Sequence, residues 1–295
     1  MRSRLQRLRR WLALPFRPLH GRDVALHAAA VTFYGGIAVT PVALLAIWLS
    51  GLAAGADRVR RLTAYTVEAL PDAIGADRAL AALIDAGLQL TPAFALASLL
   101  PASLYGEGLR RAFVSLRDPG EPLVGWRGRL LVLPLLAAAP ALLLALLMAL
   151  PLASRLWTRG GWWSVAGVVL SFLAAWLVLT PVLVWVYRAV APGRPDWLAT
   201  AVVGSFTAAN LSGFLHGLVL FCALPLDLGV PFGGFTEIGA VVAVALWLYL
   251  FHVLVLAGYA ATRVASGWRR SRQPTEAGTG AGAGAGSDSW MPYRS

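Results

Sequence analysis

Four histidines (His20, His27, His216 and His252) and fourteen carboxylates are the side chains of this 295-residue chain best suited to acid–base or metal chemistry. The histidines occur singly, with no His-x-His or His-Glu-x-x-His spacing, and no cytoplasmic loop carries a DxD-type cluster. A hydrolase acting on aqueous RNA needs an acid/base pair or a metal centre in contact with water, and the sequence offers neither. Gly233 and Gly234 have no Gly-Lys-Ser/Thr after them, so they do not form a phosphate loop. The single cysteine, Cys222, cannot form a disulfide within the chain. The expectation is a protein that is not an enzyme, with no catalytic residues, no metal and no cofactor. What remains is a set of polar residues embedded in apolar sequence: His27, Tyr34, Glu107, Arg110, Arg111, Asn210, His216, Glu237 and His252. Ionisable groups at membrane depth are candidates for a polar pathway. The same groups can equally serve as contacts between helices.

The elements that hold these residues follow from hydrophobic patterning. With 58% hydrophobic and 13% charged residues, the chain has too little polar surface for an ordinary water-soluble domain. No charged residue occurs from Ile238 to Thr262, a run long enough to cross a hydrocarbon layer about 30 Å thick at about 1.5 Å per helical residue. Comparable runs predict spans at about 24–54, 91–113, 130–152, 162–187 and 198–224. The predicted fold is all-α, a polytopic membrane protein of six transmembrane helices. Residues 57–88 alternate differently and predict short extracytoplasmic amphipathic helices outside the hydrocarbon, interrupted at Pro71. Residues 1–22 are a basic cytoplasmic segment. The span that follows is too long for a signal peptide and lacks a clear cleavage site. Residues 266–295, ending in a Gly/Ala-rich stretch, are expected to be a disordered cytoplasmic tail.

Two stripes of small residues at four-residue spacing mark close helix packing: Ala28, Thr32 and Gly36 in the first span, and Ser205, Ala209, Gly213 and Gly217 in the fifth. All 25 basic residues are arginine. With the N-terminus inside, inner segments hold seven, five, two and five of them, and outer segments hold six. That asymmetry predicts six spans with both termini in the cytoplasm. It also argues against a nucleic-acid partner, because the charges lie between hydrophobic runs rather than on one polar surface.

Several of these segments resemble the YihY/BrkB family of bacterial inner-membrane proteins. The similarity covers the run AAAVTFYGGIAVTP with Phe33, Tyr34 and Pro41, then Pro195, Trp197 and Gly204, then Phe-Gly-Gly at 232–234, Leu-Trp-Leu-Tyr-Leu at 246–250 and Gly258. Two positions depart from the pattern: Ala38 stands where the family often has Ser, and Ala260 where it often has Glu. The resemblance implies an inner-membrane protein that supports envelope integrity.

Two functions are compatible with these observations. A transporter or lipid-handling protein, the favoured reading, would use the buried polar set. A non-transporting scaffold would bind envelope proteins or lipids. The expected partners are membrane lipids, with anionic headgroups at the cytoplasmic face, and either an envelope protein or further copies of the chain. Transport predicts a polar cavity between spans, whereas a scaffold predicts a dry core rich in small residues.

Overall fold

The computed structural model describes residues 23–68, 76–117, 125–157, 159–222, 224 and 226–272. Residues 1–22, the stretch around Pro71 and the Gly/Ala-rich end of the tail lie outside these ranges. Eight α-helices and no strands occur among the described residues: α1 (Val24–Ala54), α2 (Ala56–Glu68), α3 (Ala76–Leu88), α4 (Pro92–Ser115), α5 (Gly125–Trp157), α6 (Trp162–Trp185), α7 (Trp197–Cys222) and α8 (Thr236–Arg272). α6 continues as a π-helical turn, Val186–Val190.

Local chemistry sets several boundaries. Asp23 starts α1 by accepting the Leu26 N–H at 2.9 Å, and Thr91 starts α4 ahead of Pro92 by accepting from Phe94 at 3.4 Å. Such caps satisfy amide groups that have no partner inside the helix. α1 ends at Gly55, whose φ of +87° favours glycine.

Five helices, α1, α5, α6, α7 and α8, are long and apolar enough to cross a membrane. α4, the second predicted span, is not in that set: Pro92, Ser98, Pro101, Ser103, Tyr105 and Glu107 make its first 18 residues less apolar, and Arg110 and Arg111 follow. The last span also differs from expectation. α8 runs on to Arg272, so residues 266–272 are helical where a disordered tail was expected. Ser266 explains this: fully buried, it accepts the Asp196 N–H at 3.0 Å, while Asp196 pairs with Arg269 at 3.0 Å. Both contacts tie the end of α8 to the start of α7.

The long helices form a ring in which each packs on the next: α1 on α4, then α5, α6, α7 and α8, with α8 closing against α1. α2 and α3 pack on α1, and α2 also meets α5. The main core joins α1, α4, α6, α7 and α8 around Phe113, Tyr187 and Tyr259, with the Phe113 and Tyr259 rings 4.5 Å apart. Buried hydroxyls there find carbonyl partners: Tyr187 donates to Val255 at 2.8 Å and Tyr259 to Pro192 at 3.1 Å. The outside is apolar, with Phe33, Phe206 and Val241 each about 70% exposed. That surface suits lipid as solvent.

Candidate functional site

Three helices meet at His252. This ring, on α8, is buried; its Nδ1 lies 3.0 Å from the Thr32 hydroxyl of α1, and its Nε2 lies 3.0 Å from the Tyr105 hydroxyl of α4. Thr32 donates its own proton to the Ala28 carbonyl at 2.7 Å. The Thr32 oxygen therefore accepts from Nδ1–H, which leaves Nε2 to accept from Tyr105. Every proton in this relay has a receiver with His252 neutral. A Cβ on Gly35 would sit 3.2 Å from the His252 ring, so a glycine there gives the imidazole its room.

Glu107 sits where α4 crosses α5. Its Oε1 accepts from Arg111 Nε at 2.9 Å and Nη2 at 2.7 Å, and its Oε2 accepts from Arg129 Nε of α5 at 2.6 Å. The carboxylate is largely buried while both guanidinium groups remain about 40% exposed. The crossing is a backbone contact between two glycines. A Cβ on Gly106 would overlap the Gly128 carbonyl oxygen, and one on Gly128 would overlap the Gly106 carbonyl in turn. A Cβ on Gly125 would press on Glu107 Oε1. Glycine at all three positions brings Arg129 within reach of Glu107. Arg129, Gly106, Gly125 and Gly128 are absent from the residues singled out by sequence. Their signal was the flanking of charged side chains by glycine in two neighbouring spans, Gly-Glu-Gly and Gly-Trp-Arg-Gly-Arg.

A second polar seam joins α6 and α7. His216 Nδ1 donates to the Ser212 carbonyl at 2.8 Å, and its Nε2 lies 2.9 Å from the Ser171 hydroxyl. Ser212 donates to the Phe172 carbonyl at 2.8 Å, and the Trp176 indole N–H donates to the Ser205 carbonyl at 2.9 Å.

Arginines also cap carbonyls at the Arg-rich end. Arg110 donates to Val190 at 2.8 Å, Arg263 to Leu116 at 3.1 Å, and Arg188 to Pro195. Val190 and Leu116 lie at the carbonyl ends of their helices, where a cation complements the dipole.

The remaining sequence-selected residues are dispersed. The Tyr34 ring lies over Gly108, where a Cβ would collide with it. His27 is half-buried one turn into α1. Glu237 is exposed in the first turn of α8, 15 residues before His252 and so about 22 Å from it along the axis. Since His252 touches Tyr105, close in sequence to Glu107, the two glutamates do not share a site.

Both small-residue stripes are only partly used in packing. Ala28 is buried and Thr32 binds His252, but Gly36 is exposed and a Cβ there would meet nothing within 4 Å, while Gly35 makes the close contact. In α7, Ser205 meets α6 and Gly217 meets Trp247 of α8, but Gly213 is exposed. Four-residue steps turn about 40° further than a full helical turn, so the stripe wraps from one neighbour to the other. Asn210 also faces outward, its amide donating to Phe206 of its own helix at 2.8 Å.

Beside the His252 cluster lies a cavity of about 270 Å³ between α1, α4, α5, α6 and α8. Val42, Ala102, Leu136, Ala139, Val182 and Val255 are among its lining residues, and Tyr105 is its one polar side chain. No cluster of three or more metal-binding side chains occurs among the described residues.

These features define a class: a polytopic α-helical membrane protein whose buried polar groups are tied to one another between helices. The chain belongs to the family described as Virulence factor BrkB, whose model matches residues 16–281, in agreement with the YihY/BrkB resemblance. No curated protein and no solved structure matches the chain.

Proposed function

We propose that this is a lipid-handling protein of the bacterial inner membrane that supports the cell envelope by admitting an apolar group, such as an acyl chain, between its helices. The cavity beside His252 carries this reading. Its walls are apolar, and the Tyr105 hydroxyl on them is already bonded to His252. An ion or sugar placed there would lose its hydration without gaining partners. An acyl chain would lose nothing, and the volume is just below the roughly 300–1,000 Å³ of typical ligand pockets. This favours lipid handling over transport of a polar solute.

In this reading α4 is the sixth span. Its 24 residues are long enough to cross the bilayer. It lies in the ring between α1 and α5, and its charges are paired or capping. The arginine asymmetry supports cytoplasmic termini, with α2 and α3 on the opposite side and anionic headgroups at the Arg-rich face. The protein performs no covalent chemistry and binds no nucleic acid. The pairing of Glu107, His216 and His252 within the chain favours a second reading, a scaffold that holds envelope partners without moving a substrate.

A phospholipid carrying a photoreactive group in its acyl chain, incorporated in vesicles with the purified protein, separates the two. Lipid handling predicts crosslinks to α5 around Ala139 that are lost when Ala139→Trp fills the cavity in a normally inserted protein. Crosslinks confined to the outer surface and unchanged by Ala139→Trp would leave the scaffold.

A further inference from the structure

Asn210 is in an unusual place for an amide. It lies midway along α7, 13 residues after Trp197 and 12 before Cys222, so water and headgroups are about 18–20 Å away along the axis at either end. It faces outward, toward lipid. Among the described residues, its one hydrogen bond goes from Nδ2 to the Phe206 carbonyl at 2.8 Å. An asparagine amide has two N–H donors and a carbonyl acceptor. One N–H and the Oδ1 acceptor are therefore left facing hydrocarbon, which offers neither.

The surroundings are suited to a second helix. At about 100° per residue, Val202, Phe206, Asn210, Gly213 and Leu220 fall within an arc of about 80°. Val202, Phe206 and Leu220 are 60%, 70% and 67% exposed. Gly213 is exposed, and the nearest atom to a Cβ built there is 3.8 Å away, on Phe172.

We infer that this face of α7 is a homodimer interface in the membrane, with Asn210 of one protomer paired to Asn210 of its partner. A two-fold axis along the membrane normal brings identical residues together. The groups left over at Asn210 then complement themselves: each protomer's free N–H donates to the other's Oδ1. Gly213, one turn away, lets the helices approach closely enough for this, and Val202, Phe206 and Leu220 pack around it. Acyl chains offer no such partner, which makes a second copy the better cover for this face.

The test uses the full-length protein with Cys222→Ala as background. Single cysteines replace Phe206 or Gly213 on the proposed interface, or Val241 on a different exposed face of the ring, where it is 69% exposed. Oxidation in native membranes should give disulfide-linked dimers from Phe206→Cys and Gly213→Cys and not from Val241→Cys. In vesicles of varied protein-to-lipid ratio, single-molecule photobleaching should show dimers that Asn210→Leu weakens roughly three- to thirtyfold and that Asn210→Gln largely retains. Since residue 210 faces outward, the leucine variant should insert normally, and the glutamine variant controls for any general loss. Single-step bleaching of the unmodified protein at every ratio, equal crosslinking from Val241→Cys, or unchanged dimerisation in Asn210→Leu would each overturn the assignment.

Discussion

Replacing Gly106 by alanine adds one methyl group where α4 crosses α5, and the structure leaves it no space. The new Cβ would overlap the Gly128 carbonyl oxygen and lie 2.8 Å from Val132 Cβ and 3.0 Å from the Gly128 carbonyl carbon. To restore ordinary contact, the helices must part by about 1 Å, a gap that forfeits a quarter to a half of the dispersion attraction across the seam. The same movement lengthens the 2.6 Å contact between Arg129 and Glu107. Overpacking costs about 1–3 kcal/mol and a weakened, partly exposed ion pair about 1 kcal/mol more, against a gain of about 1 kcal/mol from the better helix propensity of alanine. The net expectation is a loss of about 1–3 kcal/mol. Gly36→Ala is the internal control, since a Cβ there meets nothing within 4 Å; it should be neutral or stabilising by up to about 1 kcal/mol. Reversible unfolding of both variants in bicelles, by steric trapping or denaturing detergent, measures the difference. Equal stability of Gly106→Ala and Gly36→Ala would refute the argument that backbone contact at this crossing holds the Glu107 cluster together.

Glu107→Gln should destabilise more than Arg111→Gln or Arg129→Gln in the same assay, by about 2 kcal/mol after allowing for the exposure of the arginines, because only the glutamate touches both partners. A double-mutant cycle between Tyr105→Phe and His252→Leu should give a coupling of about 0.5–1.5 kcal/mol; additive losses would mean that the 3.0 Å contact between them contributes nothing. For topology, an impermeant thiol reagent on intact cells should label Arg58→Cys and not Arg127→Cys in the Cys222→Ala background, both positions being exposed. The reverse pattern would invert the protein in the membrane.

Much of the architecture is legible from the chain alone, because a bilayer makes demands that a local window of sequence reveals. A helix must be apolar over about 20 residues to lie in hydrocarbon, so α1, α5, α6, α7 and α8 stand out as runs without charge. The family was legible too, in the order and spacing of motifs such as Phe33-Tyr34 and the Leu-Trp-Leu-Tyr-Leu run. Which polar residues meet was not legible, since it depends on helix rotation and adjacency. Thr32 and His252 are 220 residues apart in sequence and 3.0 Å apart in space. His27 and His252 look alike as isolated histidines, yet only His252 faces two hydroxyls. Small residues show the same limit. Gly35 and Gly36 are equivalent to a pattern search, but one turns toward His252 and the other toward lipid. Sequence by itself determined that this chain dissolves in a membrane as a set of helices, because burial in lipid is a property of each segment. Tertiary structure alone decided that Arg129 of α5 joins Arg111, the i,i+4 neighbour within α4, on Glu107, that the cavity beside Tyr105 is apolar, and that Asn210 is left outside the ring. Each of those depends on which helix faces which, and 100° of rotation per residue separates a core contact from a lipid contact.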